Sequence, residues 1–270
     1  MLTKLIKYDI KSTYRSFLGI YLAILLGITI IPIIFNTIGN EFIKMITGFV
    51  AFGISVAVVV VVITNLFQLF NTNLYSKQGY LTLTLPVTSR DIVISKLIVS
   101  TMWILLTSLV AIFSLLLFAV IVEKGSITDI LQLSEALKQL DVYHISTLLL
   151  FVLAMIFTCI KEMAKLFLSC SIAHLKQFNR FRVPAGILSY FAFSWMETLF
   201  VQIGFFTLSF ITKGSQFIYQ IEEIVDTNNI DAAFGLFNGL IASGILYSII
   251  LTTLFSISNI WLLNHKLDLE

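Results

Sequence analysis

Hydrophobic residues dominate this chain in six long runs, and short polar segments separate them. The runs lack the alternating ten-residue pattern of membrane β-strands, so each is predicted to be a helix. About 20 apolar residues cross the roughly 30 Å hydrocarbon layer of a bilayer, and backbone amides there must be satisfied within the segment. The pattern predicts an all-α integral membrane protein with six transmembrane helices, at about 17–35, 46–69, 97–122, 144–173, 183–212 and 234–263.

Three polar segments carry a helical periodicity of their own. Residues 1–16 place apolar side chains near one face, which predicts an amphipathic helix along the inner leaflet. Residues 126–142 and 213–233 have apolar positions at near-helical spacing with acids between them, which predicts short amphipathic helices on the outer surface. The alternatives are a frayed basic leader for the first segment and solvated loops for the other two.

Composition and charge agree with a membrane location. Hydrophobic residues make up 58% of the 270 residues, and the mean hydropathy of +0.98 is far above that of soluble domains. With the N-terminus in the cytoplasm, eleven Lys and Arg residues lie inside and four outside. An excess of these cations marks the cytoplasmic side, so both termini are predicted to be cytoplasmic. The inside set is Lys4, Lys7, Lys11, Arg15, Lys77, Arg90, Lys96, Lys176, Arg180, Arg182 and Lys266, and the outside set is Lys44, Lys124, Lys138 and Lys213.

Motifs of catalytic chemistry are missing from the sequence. There is no GxxxxGK[ST] phosphate loop, no HExxH, no CxxC pair and no GxSxG. His144, His174 and His265 fall at different ends of the predicted spans, so they are not expected to share a metal ion. Cys159 and Cys170 are about 16 Å apart along one predicted helix, which is beyond disulfide reach. The chain is therefore predicted to be no enzyme and to bind no metal or cofactor itself.

Four charged residues interrupt the predicted spans: Lys161, Glu162 and Lys165 in the fourth and Glu197 in the fifth. Each costs about 2.5 to 3.5 kcal/mol near a helix centre, so each needs a partner or water. Lys161 and Glu197 each lie fourteen residues from the inner end of their span, about 21 Å along it, and so reach the same depth. An ion pair between these two is predicted, with Lys165 as the competing partner. Glu162 and Lys165, three apart, can also pair.

Two roles stay open for these four residues. A buried ion pair that fixes the register of the helices is one, since burial of charge is weak evidence of catalysis. A polar cavity or a path for protons is the other.

The internal segment "LTLTLPVTSRDIVISK", residues 81–96, has the signals of a helix start. Pro86 ends the preceding structure, and Thr88 or Ser89 can cap a new helix. Asp91 is the third residue after Thr88, where a carboxylate favours the positive helix end. A cytosolic helix is predicted to begin at about residue 88.

With these features the chain resembles the membrane subunit of a type-2 ATP-binding-cassette (ABC) transporter, a six-helix permease of bacteria. The layout is similar over nearly the whole length, with a connecting helix at 1–16 and one permease domain over 1–270. The segment "SIAHLKQFNRFRVPAGILSYF" is similar to the family's basic turn between spans four and five. The most specific part resembles the family's recurrent L-L-P-V-S-R, here Leu85, Pro86, Val87, Thr88, Ser89, Arg90 and Asp91.

The resemblance implies that residues 82–96 form a coupling helix, which docks on a separate ATPase subunit. Thr88, Ser89, Arg90 and Asp91 would form its tip, and Ile92 would lead into the third span. ATP and Mg would bind to that ATPase. A second permease, identical or homologous, would complete the translocation path in the bacterial cell membrane. ATP-driven export of an amphipathic peptide, a lipid or a toxic drug is the implied process, with membrane lipid as a further partner and no nucleic acid.

Two other classes of function fit the sequence less well. An ion- or proton-coupled secondary transporter would use Lys161, Glu162, Lys165 and Glu197, but its substrate helices are often broken near mid-membrane by Gly or Pro in paired halves, which this sequence lacks. An intramembrane enzyme needs convergent catalytic groups in one layer, and only the same four charges are available.

Overall fold

The computed structural model describes residues 2–37, 41–75, 88–122, 142–211 and 230–265. These residues form long α-helices, with one short 3-10 helix, Lys176–Phe181, between the fourth and fifth. The all-α fold class is therefore confirmed for this part of the chain. The helices are α1 (Leu2–Thr37), α2 (Glu41–Tyr75), α3 (Ser89–Val122), α4 (Val142–Ala173), α5 (Arg182–Ile211) and α6 (Ile230–His265).

Five of the described helices are long and apolar enough to cross a membrane. The five candidate spans are Leu2–Ile31, Gly48–Phe70, Ser89–Ser114, His144–Ala173 and Phe234–Asn264. The fifth predicted span, 183–212, corresponds to α5, whose 30 residues are about 45 Å long. Helix α5 is not one of the five candidates, so the count of six stays a prediction. The outer helices predicted at 126–142 and 213–233 lie almost wholly outside the described residues, as do residues 81–87 with Pro86.

Helix α1 differs from the prediction of a separate helix at 1–16. It runs without a break through residue 16 and is 36 residues long, about 54 Å. The sequence contains no Gly or Pro before Gly19, so nothing interrupts the helical hydrogen bonds there. The apolar stripe of residues 1–16 lies on the side of α1 that carries Asp9, which contacts Lys96 of α3. Its members Leu5, Ile6 and Ile10 are only partly exposed.

The contacts divide the helices into two compact units, residues 1–139 and 140–270. In the first unit α1 packs mainly against α3 and less extensively against α2. Its core holds Phe17, Phe70, Val99 and Trp103, all less than a tenth exposed. The rings of Phe17 and Trp103 stack with centroids 4.4 Å apart and planes 3° from parallel, which fixes the distance between α1 and α3 at this level.

The second unit repeats this order of contacts, since α4 packs mainly against α6 and less extensively against α5. Phe167, Leu168, Phe255 and Leu262 form its apolar core. In both units the first helix therefore lies between the other two. The sequence predicts that the chain forms one domain, and this stays a prediction.

Gly186 allows a close approach between α4 and α5. A Cβ atom at this position would lie 3.3 Å from the Cβ of Ala173. We expect Gly186→Leu to force the two helices apart and to destabilise the protein by about 1 to 3 kcal/mol, the usual cost of overpacking. SDS-titrated unfolding in mixed micelles measures the change.

Gly204 provides the control on the same helix, because a Cβ atom there has nothing within 4 Å. Gly204→Leu should therefore change stability by less than about 0.5 kcal/mol. Equal losses for the two variants would contradict the close approach at Gly186.

Candidate functional site

The first turn of α3 is capped by Thr88, as the helix-start signals predict. The side-chain oxygen of Thr88 accepts a hydrogen bond from the backbone N–H of Asp91 at 3.3 Å. Its carbonyl oxygen accepts from the N–H groups of Asp91 and Ile92 at 3.0 and 3.3 Å. Arg90 is exposed, whereas Ile92 is buried. The helix continues from this capped, polar tip to Val122 without interruption.

Two turns into α3, a buried ion pair joins it to α1. The ammonium of Lys96 contacts the carboxylate of Asp9, and both residues are almost fully buried, at 3% and 2% exposure. Ser95 donates a weaker hydrogen bond to the other carboxylate oxygen of Asp9 at 3.4 Å. The pair fixes α1 to α3 close to the capped tip.

Further polar contacts join the same two helices beyond this pair. The indole Nε1–H of Trp103 donates to the hydroxyl of Thr13 at 2.9 Å. One turn further along, the hydroxyls of Tyr21 and Thr107 are 3.2 Å apart and share a hydrogen bond. Together with the stack of Phe17 on Trp103, these contacts join α1 and α3 over several successive turns.

In the second unit, the four charged residues that interrupt the predicted spans meet in one cluster. We call Lys161, Glu162, Lys165 and Glu197 the charge cluster. The predicted contact is present: Lys161 Nζ lies 2.9 Å from Glu197 Oε2. Lys165 Nζ lies 3.2 Å from Glu197 Oε1, so the competing partner contacts the same carboxylate. Lys165 also contacts Glu162 at 2.8 Å, and Lys161 contacts Glu162 at 3.2 Å.

Aromatic side chains surround the charge cluster. The hydroxyl of Tyr190 donates to Glu162 Oε2 at 2.9 Å, and the ring of Tyr190 lies 5.0 Å from Lys165 Nζ. Tyr247 on α6 donates to the backbone oxygen of Glu197 at 3.4 Å. The cluster therefore connects all three helices of its unit.

The charges of the cluster balance, since two ammonium groups contact two carboxylates. Glu197 exposes 12% of its side chain and Glu162 exposes 32%. The contact of Lys165 with Glu197 Oε1 is an ion pair without hydrogen-bond geometry, so this buried oxygen has no hydrogen bond of its own. A neutral and mutually paired cluster fits a structural ion pair better than a set of free catalytic groups.

A buried hydrogen bond that the sequence analysis did not predict joins α4 to α6. The hydroxyl of Ser171 donates to the side-chain oxygen of Asn259, and both residues are buried. The amide nitrogen of Asn259 has no partner among the described residues. Each of the two positions stands out in the sequence as a polar residue inside an apolar helix. Sequence spacing alone does not show that the two residues contact each other.

The histidines and cysteines form no metal site in the part of the chain that the structure describes. His144 lies with its ring 4.6 Å from that of Phe234, and His174 Nδ1–H donates to the Cys170 carbonyl at 2.9 Å. Burial is the main cause that lowers the pKa of His174, and the charge of Arg182 adds to it, while the carbonyl contact opposes it. Both cysteines are free thiols.

The described chain thus has the character of a helical membrane protein, with a capped helix start fixed to α1 and a neutral charge cluster between helices. Comparisons with models of protein families, with curated proteins and with solved structures find no match.

Proposed function

We propose that this chain is the permease subunit of an ATP-driven exporter of the type-2 ABC class. The observation that carries the proposal is the arrangement of α3, whose capped, polar first turn continues directly into an apolar helix long enough to cross a membrane. A helix of this kind can receive a force from a soluble protein at its tip and pass it into the bilayer. Thr88, Ser89, Arg90 and Asp91 are the residues to which we assign contact with the ATPase, and the buried Ile92 joins this tip to the rest of α3.

The contacts between α1 and α3 support this role. The Asp9–Lys96 pair, the hydrogen bond of Trp103 to Thr13 and the stack on Phe17 join the two helices just above the tip. A displacement of the tip would therefore move α1 together with α3. In this proposal α5 also crosses the membrane, which gives six spans in all; both termini are cytoplasmic, and the location is a bacterial cell membrane.

The partners follow from what the sequence lacks. It has no phosphate-binding motif, so ATP and Mg would bind to a separate ATPase subunit. A second permease, identical or homologous, would complete the path for an amphipathic peptide, a lipid or a toxic drug. Purification of the tagged protein in mild detergent should recover an ATPase. Transport that proceeds without a nucleotide-hydrolysing partner would contradict the proposal.

Changes at the tip of α3 should uncouple ATP hydrolysis from transport. Arg90→Ala with Asp91→Ala removes the exposed cation and a first-turn carboxylate, while a Gly pair inserted after Ser89 makes the connection to the helix flexible. We expect each change to leave the protein inserted and to reduce transport per ATP hydrolysed at least tenfold. Proteoliposomes containing the complete complex allow both rates to be measured.

Arg90→Lys is the matched control, since it keeps the cation and should retain most of the coupling. Coupled turnover that stays normal after the Gly insertion would show that the tip does not transmit the force.

One observation favours a second candidate, an ion- or proton-coupled secondary transporter. Glu162 belongs to the charge cluster, yet the described protein leaves 32% of its side chain uncovered, as a group that binds a transported ion or proton requires. Uptake into proteoliposomes driven by a pH or sodium gradient, without any ATPase, would support this candidate and contradict the exporter.

A further inference from the structure

Four cations lie along one side of the N-terminal part of α1. Lys4, Lys7, Lys11 and Arg15 recur every three or four residues, so they share one helical face, and all four are exposed. We call this set the cationic stripe. Among the described residues none of the four contacts a carboxylate, and the single acid of α1, Asp9, is buried against Lys96 on the opposite face.

The same face of α1 changes character after Arg15. From Leu18 onwards it carries only uncharged residues, and Leu18, Leu22, Leu25 and Ile33 are all exposed by more than 40%. An exposed apolar face suits hydrocarbon, whereas a charge there is costly. The change from cations to exposed leucines therefore marks the level at which α1 enters the hydrocarbon layer.

The opposite face of α1 is occupied by α3. Asp9, Phe17, Ile20 and Ile24 are buried there. The apolar face of residues 1–16 was predicted to lie in the leaflet, but that side of α1 packs against protein. The cationic stripe is the face that remains exposed beside the membrane.

We propose that the cationic stripe binds the headgroups of anionic phospholipids in the leaflet where α1 enters the membrane. A cation near an anionic membrane surface contributes about 1 kcal/mol, and the attraction falls off within a Debye length of about 8 to 10 Å. Measured along the helix from Leu18, Arg15 lies about 5 Å away, Lys11 about 10 Å, Lys7 about 16 Å and Lys4 about 21 Å. Arg15 and Lys11 therefore supply most of the preference. This inference does not depend on the proposed transporter function.

The test compares two double variants, each of which removes two positive charges from the cationic stripe. Native mass spectrometry of the full-length protein from detergent micelles gives the dissociation constants of bound phosphatidylglycerol and phosphatidylcholine. We expect the unmodified protein to bind phosphatidylglycerol at least tenfold more tightly. Lys11→Gln with Arg15→Gln should reduce this preference to about twofold, whereas Lys4→Gln with Lys7→Gln should retain most of it.

A charge-preserving control, Lys4→Arg with Lys7→Arg and Lys11→Arg, should keep the full preference. Glycerol phosphate, which has the headgroup chemistry without acyl chains, should not displace the lipid at millimolar concentration. Equal losses from the two pairs, or a preference that survives substitution of all four cations, would overturn the proposal. It would also be overturned if the four substitutions released a protein partner and left lipid binding unchanged.

Discussion

Replacing Asp9 with asparagine is expected to destabilise the protein by about 3 kcal/mol. Lys96 is 3% exposed, and the substitution leaves its ammonium buried without the carboxylate that it contacts. Removal of one member of a buried ion pair costs about 3 to 5 kcal/mol, and we expect the lower limit because the hydroxyl of Ser95 lies close by. SDS-titrated unfolding in mixed micelles measures the loss.

The second member of the pair provides the internal control. Lys96→Met alone should also destabilise the protein, since it removes the ammonium that contacts the buried Asp9 carboxylate. The double variant Asp9→Asn with Lys96→Met should regain most of the loss, because no uncompensated charge remains. Lys11→Met, an exposed change on the same helix, should stay within about 0.5 kcal/mol. If the double variant is no more stable than Asp9→Asn alone, loss of the ion pair is not the cause of the lower stability.

Glu197→Gln is expected to have the second large effect, a loss of about 3 kcal/mol. It removes the carboxylate that contacts both Lys161 and Lys165. Among the described residues, Glu162 is then the one carboxylate in contact with the two ammonium groups. The cost follows from the excess positive charge in a buried setting. The same unfolding titration applies.

Comparison within the charge cluster makes this prediction specific. Glu162→Gln should cost less than half as much, since Glu162 is 32% exposed and Glu197 only 12%. Adding Lys161→Met to Glu197→Gln should restore most of the stability, because Lys165 keeps its 2.8 Å contact with Glu162. Adding Lys165→Met instead should restore less, since the remaining contact of Lys161 with Glu162 is longer, at 3.2 Å. Equal stability of the single and both double variants would rule out the charge cluster as a stabilising unit.

Sequence reasoning predicted the features that depend on local spacing or on depth in the membrane. The start of α3 followed from the capping chemistry of Thr88 and Asp91, which acts over one helical turn. The contact of Lys161 with Glu197 followed from their equal distance to the ends of two consecutive helices. Both inferences needed only helix geometry and the high cost of an unpaired charge in lipid.

The Asp9–Lys96 pair was not predicted. Lys96 is one of the cations predicted to lie in the cytoplasm, and no prediction was made for Asp9. The two residues are 87 positions apart in the sequence, and sequence spacing alone does not determine contacts over such a separation. One signal was available: Asp9 lies on the apolar face of α1, where a charge needs a buried partner.

The prediction that one helix ends at residue 16 and another begins there was also wrong. The change from polar to apolar composition there marks where the surroundings of the helix change. It does not mark a helix end, since no residue near position 16 breaks the backbone hydrogen bonds.

The unbroken length of α1 has a geometric consequence. From Asp9 to Ile31, the residue before Pro32, the helix extends 22 residues, about 33 Å. Pro32 cannot donate a helical hydrogen bond, so the straight part of α1 ends there. A tilt of only about 5° at the Asp9 end displaces Ile31 by about 3 Å over this length. A small change of angle at one end of α1 is therefore a displacement of several ångströms at the other.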